Sequence, residues 1–574
     1  MEKIKGRLIE LNILLLTIIL PVIFLTVTKD VFLIKKTIFI TVILFTLILI
    51  IIKKSKMSGA KLLAPIATFI IAISLSLINS KNIDISLYAL VEKLVFISVY
   101  FIAATQLERK FRPKIVDGVL FSGFIVCLYG LLQYFRLDFI VWATSFEGRI
   151  SSSLGNPNFL AGYLVAVLPL AVVSFINENK MLKKLLLALN VILLITCLIL
   201  TQTRGSWIAF AGSILVLIIL AGIAYWNDPG RRIMLKKFYA VTAIIIIIAS
   251  GYIISVNNAY TRKFKTIFRP NIASVYERVF KWRTAQEMIT DHPVLGVGIG
   301  AIKVNYALYQ IKAKQKMRII LRGTSESQVH NEYLQILAEA GFVGLASFLC
   351  IIIVFFINAF RQLREKNLDS KWISIGIIAG VAGILIDSIS NFPLHIIPTG
   401  FLFWLYLGMI EKGNNACEKA VIEKKAVFTG GPLIRIILVI IIIMSWIRTA
   451  AMEFVADAHR ATGDSAFAAG DWQKTISEHS TAHKLNPVDG QACYVLGMAF
   501  VNMKDFDSAI RAFKESIKIR NYGEVYNDLA NCYYMKGMKD EAIRNWEIAL
   551  KLELPNSDDQ DKVRNNLKIL KDGR

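Results

Sequence analysis

The chain has 574 residues, 55% of which are hydrophobic, and its mean hydropathy is +0.55. This composition excludes an ordinary soluble domain, and apolar runs near the ~20 residues that a bilayer requires recur through the first 450 positions. The net charge of +24 would also suit a nucleic-acid-binding protein, but the basic residues lie in short clusters between apolar runs, as in the positive-inside pattern. We therefore predict an all-α, polytopic membrane protein that contacts membrane lipids and binds no nucleic acid.

The apolar runs predict about 12–13 transmembrane helices. The first run is predicted to be retained, because no small-x-small cleavage site follows it. If the N-terminus is inside, the basic clusters fall on alternate loops, on the cytoplasmic side, and this pattern fixes the orientation. Lys29, Lys35 and Lys36 are the exception, because they lie on a predicted outer loop. The predicted spans are 10–28, 37–52, 62–78, 86–105, 115–135, 159–176, 185–201, 207–225, 238–256, 333–357, 372–390, 396–411 and 432–449.

Two short polar motifs fall on predicted outer loops. Gly-Asn-Pro-Asn at 155–158 opens a helix, with Asn156 as a candidate N-cap and proline at the first helical position. Free backbone N–H groups at such a helix start attract anions, although a helix start without a ligand has the same pattern. Thr-Arg-Gly-Ser at 203–206 puts Arg204 between two spans, where a guanidinium either reaches the lipid headgroups or meets a charge in a cavity.

The largest predicted outer loop, 257–332, is basic, which indicates an anionic ligand or anionic headgroups nearby. A merely solvated surface is the alternative. Apolar residues at helical spacing over 276–289 predict an amphipathic helix along the membrane, and this helix carries Arg278 and Arg283. A Pro-x-x-Gly-x-Gly turn follows at 293–298, and it is not a dinucleotide fingerprint, because a helix rather than a strand precedes it.

His330 and Asn331 stand where a polar loop joins a long apolar helix. Polar groups at a membrane boundary need partners, because burying them alone costs several kcal/mol. Glu339 within that helix and Asp387 late in a later span are ionisable groups in apolar surroundings, which either pair with an arginine for structure or serve a function. The six cysteines have no paired metal-ligand spacing, so we predict no metal site.

The order of these motifs, with His-Asn followed after nine residues by Gly-x-x-Gly at 341–344, resembles the O-antigen ligase and O-antigen polymerase superfamily over residues 60–410. The resemblance implies a glycosyltransferase that needs no metal or cofactor and moves a polyprenyl-diphosphate-linked glycan to an acceptor at the outer face of the bacterial cytoplasmic membrane. It implies His330 as the catalytic residue, which orients or deprotonates the acceptor hydroxyl, and Arg204 and Arg278 as diphosphate-binding residues. The implied supporting residues are Asn156, Asn158, Arg283, Asn331, Glu339 and Asp387.

The composition changes after the last predicted span, and Trp472, Phe506 and Asp540 recur at a spacing of 34 residues. This period resembles tetratricopeptide repeats of two helices each, about three units with a capping helix. We therefore predict a membrane domain at 1–450 and a helical repeat domain at 451–574, whose concave surface binds a protein partner. With an odd number of spans the tail lies outside, and one span more or fewer moves it to the cytoplasm.

Three acceptors remain open for such a transferase: the lipid A core of lipopolysaccharide, another glycan repeat unit, or a protein side chain as in a protein O-oligosaccharyltransferase. A different class is a bicarbonate- or solute-transport protein, which should carry charges at mid-membrane depth and repeat symmetry between its halves. The polar motifs instead gather at one predicted face, and no such symmetry is visible in the sequence. A non-catalytic membrane scaffold that displays the repeats is the third alternative.

Overall fold

The computed structural model describes residues 2–26, 28–53, 60–138, 140, 146, 148–225, 232, 236, 261–262, 265, 273–317, 327–364, 371–411, 432–554 and 556–572. Within these ranges the regular elements are helices, which confirms the predicted all-α class. The earlier helices are α1 (Glu2–Val22), α2 (Leu33–Lys53), α3 (Leu63–Leu75), α4 (Ile83–Gln106), α5 (Arg112–Tyr134), α6 (Pro157–Asn177), α7 (Met181–Leu200), α8 (Arg204–Tyr225), α9 (Ala273–Asp291) and α10 (Ile302–Met317). The later helices are α11 (Glu332–Leu363), α12 (Lys371–Asp387), α13 (Ile397–Glu411), α14 (Pro432–Trp446), α15 (Met452–Ala468), α16 (Trp472–Leu485), α17 (Gly490–Asn502), α18 (Phe506–Ile519), α19 (Gly523–Met535), α20 (Lys539–Leu552) and α21 (Ser557–Asp572).

Each predicted span coincides with a helix, α1–α8 or α11–α14, apart from 238–256, which lies outside the described residues. By length and composition, eight helices of the described ranges are long and apolar enough to cross a membrane. This number is smaller than predicted in part because α3, α12 and α13 have 13, 17 and 15 residues, fewer than the ~20 that span a bilayer. The chain is a multi-pass membrane protein.

Helix α12 lies at the centre of the bundle, packed between α6 and α8. Glycines let it approach both neighbours, because a Cβ added at Gly380 would lie 2.9 Å from the carbonyl oxygen of Ala166 on α6. A Cβ added at Gly383 would likewise lie 3.0 Å from the Cβ of Ser213 on α8. This close packing holds Asp387, the last residue of α12, near the starts of α6 and α8.

Helix α11 is kinked at Gly341, whose φ of 66° and ψ of −170° lie in a region that glycine alone adopts readily. The turn at 293–300 packs against the kink and accepts hydrogen bonds from its backbone amides. The amide of Phe342, for example, donates to the carbonyl oxygen of Pro293 (2.9 Å). A Cβ at Gly341 would lie 2.1 Å from the carbonyl oxygen of Val294. The Gly-x-x-Gly and Pro-x-x-Gly-x-Gly motifs are therefore two halves of one structural joint.

Helices α15–α21 form the repeat-bearing tail, in which neighbouring helices along the chain pack against each other. The side chains of Asp471, Asp489 and Asp505 cap the N-termini of α16, α17 and α18. Helix α14 runs into α15 through a π-helical turn at Ile447–Ala451. The domain boundary predicted at 450/451 therefore falls inside a continuous helical run from the membrane part into the tail.

The tail packs against the end of the bundle that carries the α1–α2 loop. An ion pair between Lys36 of α2 and Glu453 of α15 (3.0 Å) joins the two parts. At the same end, the hydroxyl of Ser153 in the α5–α6 loop donates to the carbonyl oxygen of Pro21 at the end of α1 (2.7 Å). The tail and the polar motifs predicted for the outer loops therefore lie on one face of the bundle, whatever the number of spans.

The lysines that break the predicted charge bias are used within the protein. Lys29 forms an ion pair with Asp464 of the tail (2.7 Å), as Lys36 does with Glu453. Lys35 is buried and donates to a backbone carbonyl at the end of α1 (2.9 Å). These charges stabilise tertiary contacts, so their position does not contradict an orientation in which this loop is outside.

Candidate functional site

The start of α6 anchors one side of the site. The Oδ1 atom of Asn156 accepts a hydrogen bond from the backbone amide of Asn158 (2.8 Å), which makes Asn156 the N-cap as predicted. The Oδ1 atom of Asn158 in turn accepts from Nη2 of Arg149 (3.1 Å) and from the hydroxyl of Thr203 (3.2 Å). Arg149 also donates from Nε to the carbonyl oxygen of Thr201 (2.8 Å). These bonds hold the two predicted outer motifs together, with Arg149 between them.

The guanidinium groups of Arg149, Arg204 and Arg278 lie within electrostatic range of one another. Burial lowers the pKa of Arg149, and the positive charges of Arg278 and Arg204 lower it further. Burial also lowers the pKa of Arg278, and the positive charge of Arg204 lowers it further. Gathering like charges in a partly buried site is unfavourable, and a bound anion such as a diphosphate offsets that cost. Sequence reasoning named Arg204 and Arg278 but assigned no role to Arg149, although Arg149 stands just before the Gly-Asn-Pro-Asn motif.

Asp387 connects the arginine side of the site to the turn after α12. Its buried Oδ1 accepts from the hydroxyl of Ser206 (2.7 Å) and from Nδ2 of Asn391 (2.9 Å). Ser206 is two residues beyond Arg204, so this bond fixes the start of α8 relative to the turn. The negative charge of Asp387 acts on Arg278 and raises its pKa, against the larger effects of burial and of Arg204.

His330 faces the same group of charges. Its backbone is in the left-handed region, with φ of 57°, and its ring packs edge-on against Phe392 with centroids 4.8 Å apart. Burial lowers the pKa of His330 to about 3, with smaller contributions from the positive charges of Lys281 and Arg278. The imidazole is therefore neutral near pH 7, and its buried Nδ1 has no hydrogen-bond partner among the described residues. This nitrogen is therefore a buried hydrogen-bonding group whose capacity is not satisfied among these residues.

The residues next to His330 fix the start of α11. The side chain of Asn331 caps the helix by accepting from the amide of Leu334 (3.0 Å), and the amide of Glu332 donates to the carbonyl oxygen of Ser388 (2.9 Å). The helix start is thereby tied to the turn that follows Asp387. Asn331 holds the backbone that presents His330.

A second group of polar side chains surrounds His395, near Phe392. The Nδ1 atom of His395 lies 3.0 Å from Oε1 of Glu332, and its Nε2 lies 3.2 Å from Nζ of Lys93. The ring of Phe392 packs near both imidazoles, with its centroid 4.8 Å from that of His330 and 6.5 Å from that of His395. Sequence reasoning assigned no role to His395, because its partners come from distant parts of the chain.

A cavity of about 400 Å³ adjoins His395, between the end of the bundle and the tail. Glu339, expected among the supporting residues, lines this cavity rather than the arginine side, and its Oε1 accepts from Nε2 of Gln335 (2.8 Å). The cavity wall combines residues of the bundle and of the tail. Its charged residues include Lys36, Glu92, Lys93, Lys303, Glu453 and Arg460.

The fold brings together Arg204, Arg278, His330 and Asp387 at one end of the bundle. Asn158 is connected to this group through its hydrogen bond with Arg149. It does not bring Arg283 to them. The side chain of Arg283 is exposed and donates to Gln286 on its own helix (2.7 Å). Helical periodicity explains the difference, because positions 278 and 283 of α9 are separated by five residues and point in different directions.

Comparisons with known proteins agree with the motif order. Residues 189–349 match the O-antigen ligase family, and residues 490–522 match the tetratricopeptide repeat. Over these two ranges the chain is similar to O-antigen ligases and to a tetratricopeptide repeat, respectively. The match to the ligase family contains Arg204, Arg278 and His330, whereas Arg149 and Asp387 lie outside it.

Two relatives match 46% and 50% of this chain. The ComP-specific O-oligosaccharyltransferase of Acinetobacter baylyi is 21% identical over 268 residues, which cover 46% of this chain and 45% of that protein. An uncharacterised protein of Haemophilus influenzae is 23% identical over 295 residues, covering 50% of this chain and 69% of that protein. The chain therefore spans less than half of the oligosaccharyltransferase that it resembles.

Two solved structures match parts of this chain. A crystal structure of MamA is 27% identical over 20% of this chain and 66% of that chain, with a TM-score of 0.17. The TPR2AB domain of yeast Sti1, in a complex with pHSP90, is 12% identical over 52% of this chain and 93% of that chain, with a TM-score of 0.20.

Proposed function

We propose that the protein transfers a glycan from a polyprenyl diphosphate carrier to an acceptor hydroxyl, at the outer face of a bacterial cytoplasmic membrane. The observation that carries the proposal is the gathering of Arg149, Arg204 and Arg278 beside a neutral His330. A cluster of guanidinium groups at the end of an apolar bundle suits a diphosphate whose lipid lies in the bilayer. The ligase-family match over this region supports the same reaction class.

The reaction is a displacement at the anomeric carbon of the glycan. The acceptor oxygen forms a bond to this carbon, while the bond from the carbon to the diphosphate oxygen breaks and its electron pair leaves with the lipid diphosphate. Negative charge grows on the leaving group, and the bidentate donors of Arg204 and Arg278 stabilise it. Arg149 adds a third positive charge nearby and is itself held by Asn158 and Thr203.

His330 takes the proton of the acceptor hydroxyl. Its imidazole is neutral near pH 7, and its Nδ1 has no partner among the described residues, so it can accept the hydroxyl hydrogen bond. Burial is the main cause of the low pKa of His330, and a neighbouring diphosphate offsets the smaller effect of the positive charges of Lys281 and Arg278. The bound donor thus raises the basicity of His330 at the moment when the acceptor must be deprotonated.

Protein glycosylation is the second candidate, ahead of transfer to the lipid A core or to another glycan unit. It is supported by the name of the Acinetobacter baylyi relative, an O-oligosaccharyltransferase specific for ComP, and by the repeat-bearing tail on the face of the candidate site. In this proposal the tail and the 257–332 loop are outside the cytoplasm, as the distribution of basic residues predicts.

Alanine substitutions of the arginines test the reaction. We expect Arg204→Ala and Arg278→Ala to reduce glycan transfer in membranes about 100- to 1000-fold, the effect of losing one donor to a developing anion, and to leave carrier-linked glycan accumulated. Arg283→Ala is the matched control on α9, because Arg283 is exposed and bonds only within its helix among the described contacts. Transfer at the wild-type rate in both variants would leave the transport or scaffold alternatives.

A further inference from the structure

The three clustered arginines, Arg149, Arg204 and Arg278, are not among the residues that line the cavity between the bundle and the tail. Gln328, two residues before His330, lines this cavity, and so does His395. Phe392 packs against both imidazoles, so it connects His395, which lines the cavity, to His330. In a displacement, the attacking oxygen approaches from the side opposite to the leaving group. If the arginines hold the diphosphate, this cavity leaves room for the acceptor, because it borders the segment before His330 and includes none of the three arginines.

Two residues that line the cavity each carry a buried acceptor atom without a hydrogen-bond partner among the described residues. The atoms are Oε1 of Gln328 on the bundle side and Oδ1 of Asn486 on the tail side. A buried acceptor without a partner is unfavourable, so such atoms mark the place of a ligand that donates hydrogen bonds. One of the two residues belongs to each wall. A ligand that forms hydrogen bonds with both of them would therefore bridge the membrane part and the tail.

The cavity also contains a positively charged side chain that takes no part in the ion pairs with the tail. Lys36 and Lys314 pair with Glu453 and Glu553 of the tail. Lys303 lines the cavity and belongs to none of the ion pairs formed by the described residues. Burial lowers the pKa of Lys303, as expected for an ammonium group held partly away from water. A ligand that also accepts hydrogen bonds would suit the N–H groups of Lys303.

We infer that this cavity is the acceptor site and that it takes an extended polypeptide segment with a serine or threonine hydroxyl. The inference rests on the proposed function and names its acceptor. Backbone amides of such a segment would donate to Gln328 and Asn486, and its carbonyl oxygens would accept from Lys303. A volume of about 400 Å³ suits a few residues rather than a folded domain. Tetratricopeptide repeats bind polypeptides, and here the tail forms one wall of the cavity.

Removal of the two unpartnered acceptors tests this site. In the full-length protein in membranes, we expect Gln328→Ala and Asn486→Ala each to lower glycan transfer about tenfold, the effect of one lost hydrogen bond to a ligand. Affinity for synthetic polyprenyl diphosphate should stay within about twofold of the wild type, since the arginines are untouched. The melting temperature should stay constant or rise, because each substitution removes a buried acceptor that lacks a partner. Asn502→Ala, at an exposed position of α17, is the matched control.

The outcomes separate the acceptor site from the reaction itself. Normal transfer in both variants, with transfer lost in Arg204→Ala, would overturn the acceptor site and leave the transferase. Normal transfer in Arg204→Ala as well would overturn both. Loss of polyprenyl diphosphate affinity in Gln328→Ala and Asn486→Ala would also overturn the acceptor site, because it would assign the cavity to the donor.

A photocrosslinker identifies the chemical class of the acceptor. Benzoylphenylalanine in place of Val488, which lines the cavity on the tail side, is irradiated in membranes of the producing cells. A crosslinked peptide that contains serine or threonine, and that occurs elsewhere in the sample with a glycan attached, supports a polypeptide acceptor. A crosslinked saccharide or glycolipid mass would overturn it.

Discussion

The ammonium group of Lys36 lies 3.0 Å from the carboxylate of Glu453, and this ion pair joins α2 of the bundle to α15 of the tail. Glu92 of α4 lies 3.4 Å from the same ammonium group. The three side chains expose only 18–28% of their surfaces, so water screens these charges weakly. The tail is therefore held by a largely buried charge cluster on the face that carries the candidate site.

Replacing Lys36 with methionine should weaken this junction. The substitution leaves Glu92 and Glu453 as neighbouring carboxylates without their shared cation, and removing one partner of a buried ion pair costs about 3–5 kcal/mol. We expect a lower melting temperature in detergent and faster proteolytic release of the tail. Lys29→Met provides the control, because the Lys29 side chain is 55% exposed and its pair with Asp464 is weakened by solvent. An equal decrease in melting temperature in the two variants would contradict the stabilising role of this charge cluster.

Gly341→Ala should disrupt the joint between α11 and the turn at 293–300. The added Cβ would meet the carbonyl oxygen of Val294 at 2.1 Å, and the residue would also keep a φ of 66°. We expect a large loss of folded protein, measured by thermal unfolding. Gly537→Ala separates the two effects, because its φ is 77° and nothing lies within 4 Å of its added Cβ. That control should lose only the ~1–2 kcal/mol of left-handed backbone strain, and an equally small loss at Gly341 would refute the joint.

His330 should make the protein less stable as the pH falls. Its pKa is about 3 in the folded chain, against about 6.5 in an unfolded chain. Between these values the unfolded chain binds a proton that the folded chain does not, so stability falls from pH 6.5 downwards by at most ~1.4 kcal/mol per pH unit. We expect the melting temperature to fall less in His330→Gln than in the wild type between pH 7 and pH 4.5.

A matched histidine substitution checks this pH effect. His292→Gln lies in the turn between α9 and α10, and it changes the same side chain at the same end of the bundle. The difference between the two variants separates the contribution of His330 from the general effect of replacing a histidine with glutamine. The same pH dependence in His330→Gln as in the wild type would mean that His330 does not remain neutral on folding.

Arg149→Lys should lower glycan transfer although it preserves the charge. Arg149 donates to the carbonyl oxygen of Thr201 from Nε and to Asn158 and Thr203 from Nη2. A lysine has one nitrogen and cannot reach all three acceptors, so the loops at 149–158 and 201–204 lose their common anchor. We expect about a tenfold loss of transfer, the effect of one or two lost charged hydrogen bonds. Arg283→Lys should transfer at the wild-type rate, and an equal loss there would reject this role for Arg149.

Local pattern accounts for much of this architecture. Apolar runs of bilayer length predict the helices of the bundle, because a backbone in lipid must satisfy its hydrogen bonds within its own segment. The caps at Asn156 and Asn331 follow from their place before a helix, since they bond to amides two or three residues away. Arg204, Arg278 and His330 were named from motif order, and the fold holds them together.

Contacts between distant segments decided the rest. The pairing of Glu332 with His395, the group around Arg149 and the cavity shared with the tail all join residues from different helices, and no spacing rule connects them. Arg283 and Glu339 had the right chemistry for the site, but helix rotation directs one to solvent and the other to the cavity. The sequence by itself determined which segments are helical and which polar groups stand at their ends, because those forces act within a few residues. Only the tertiary structure decided which of these groups meet, because packing sets the rotation and depth of each helix.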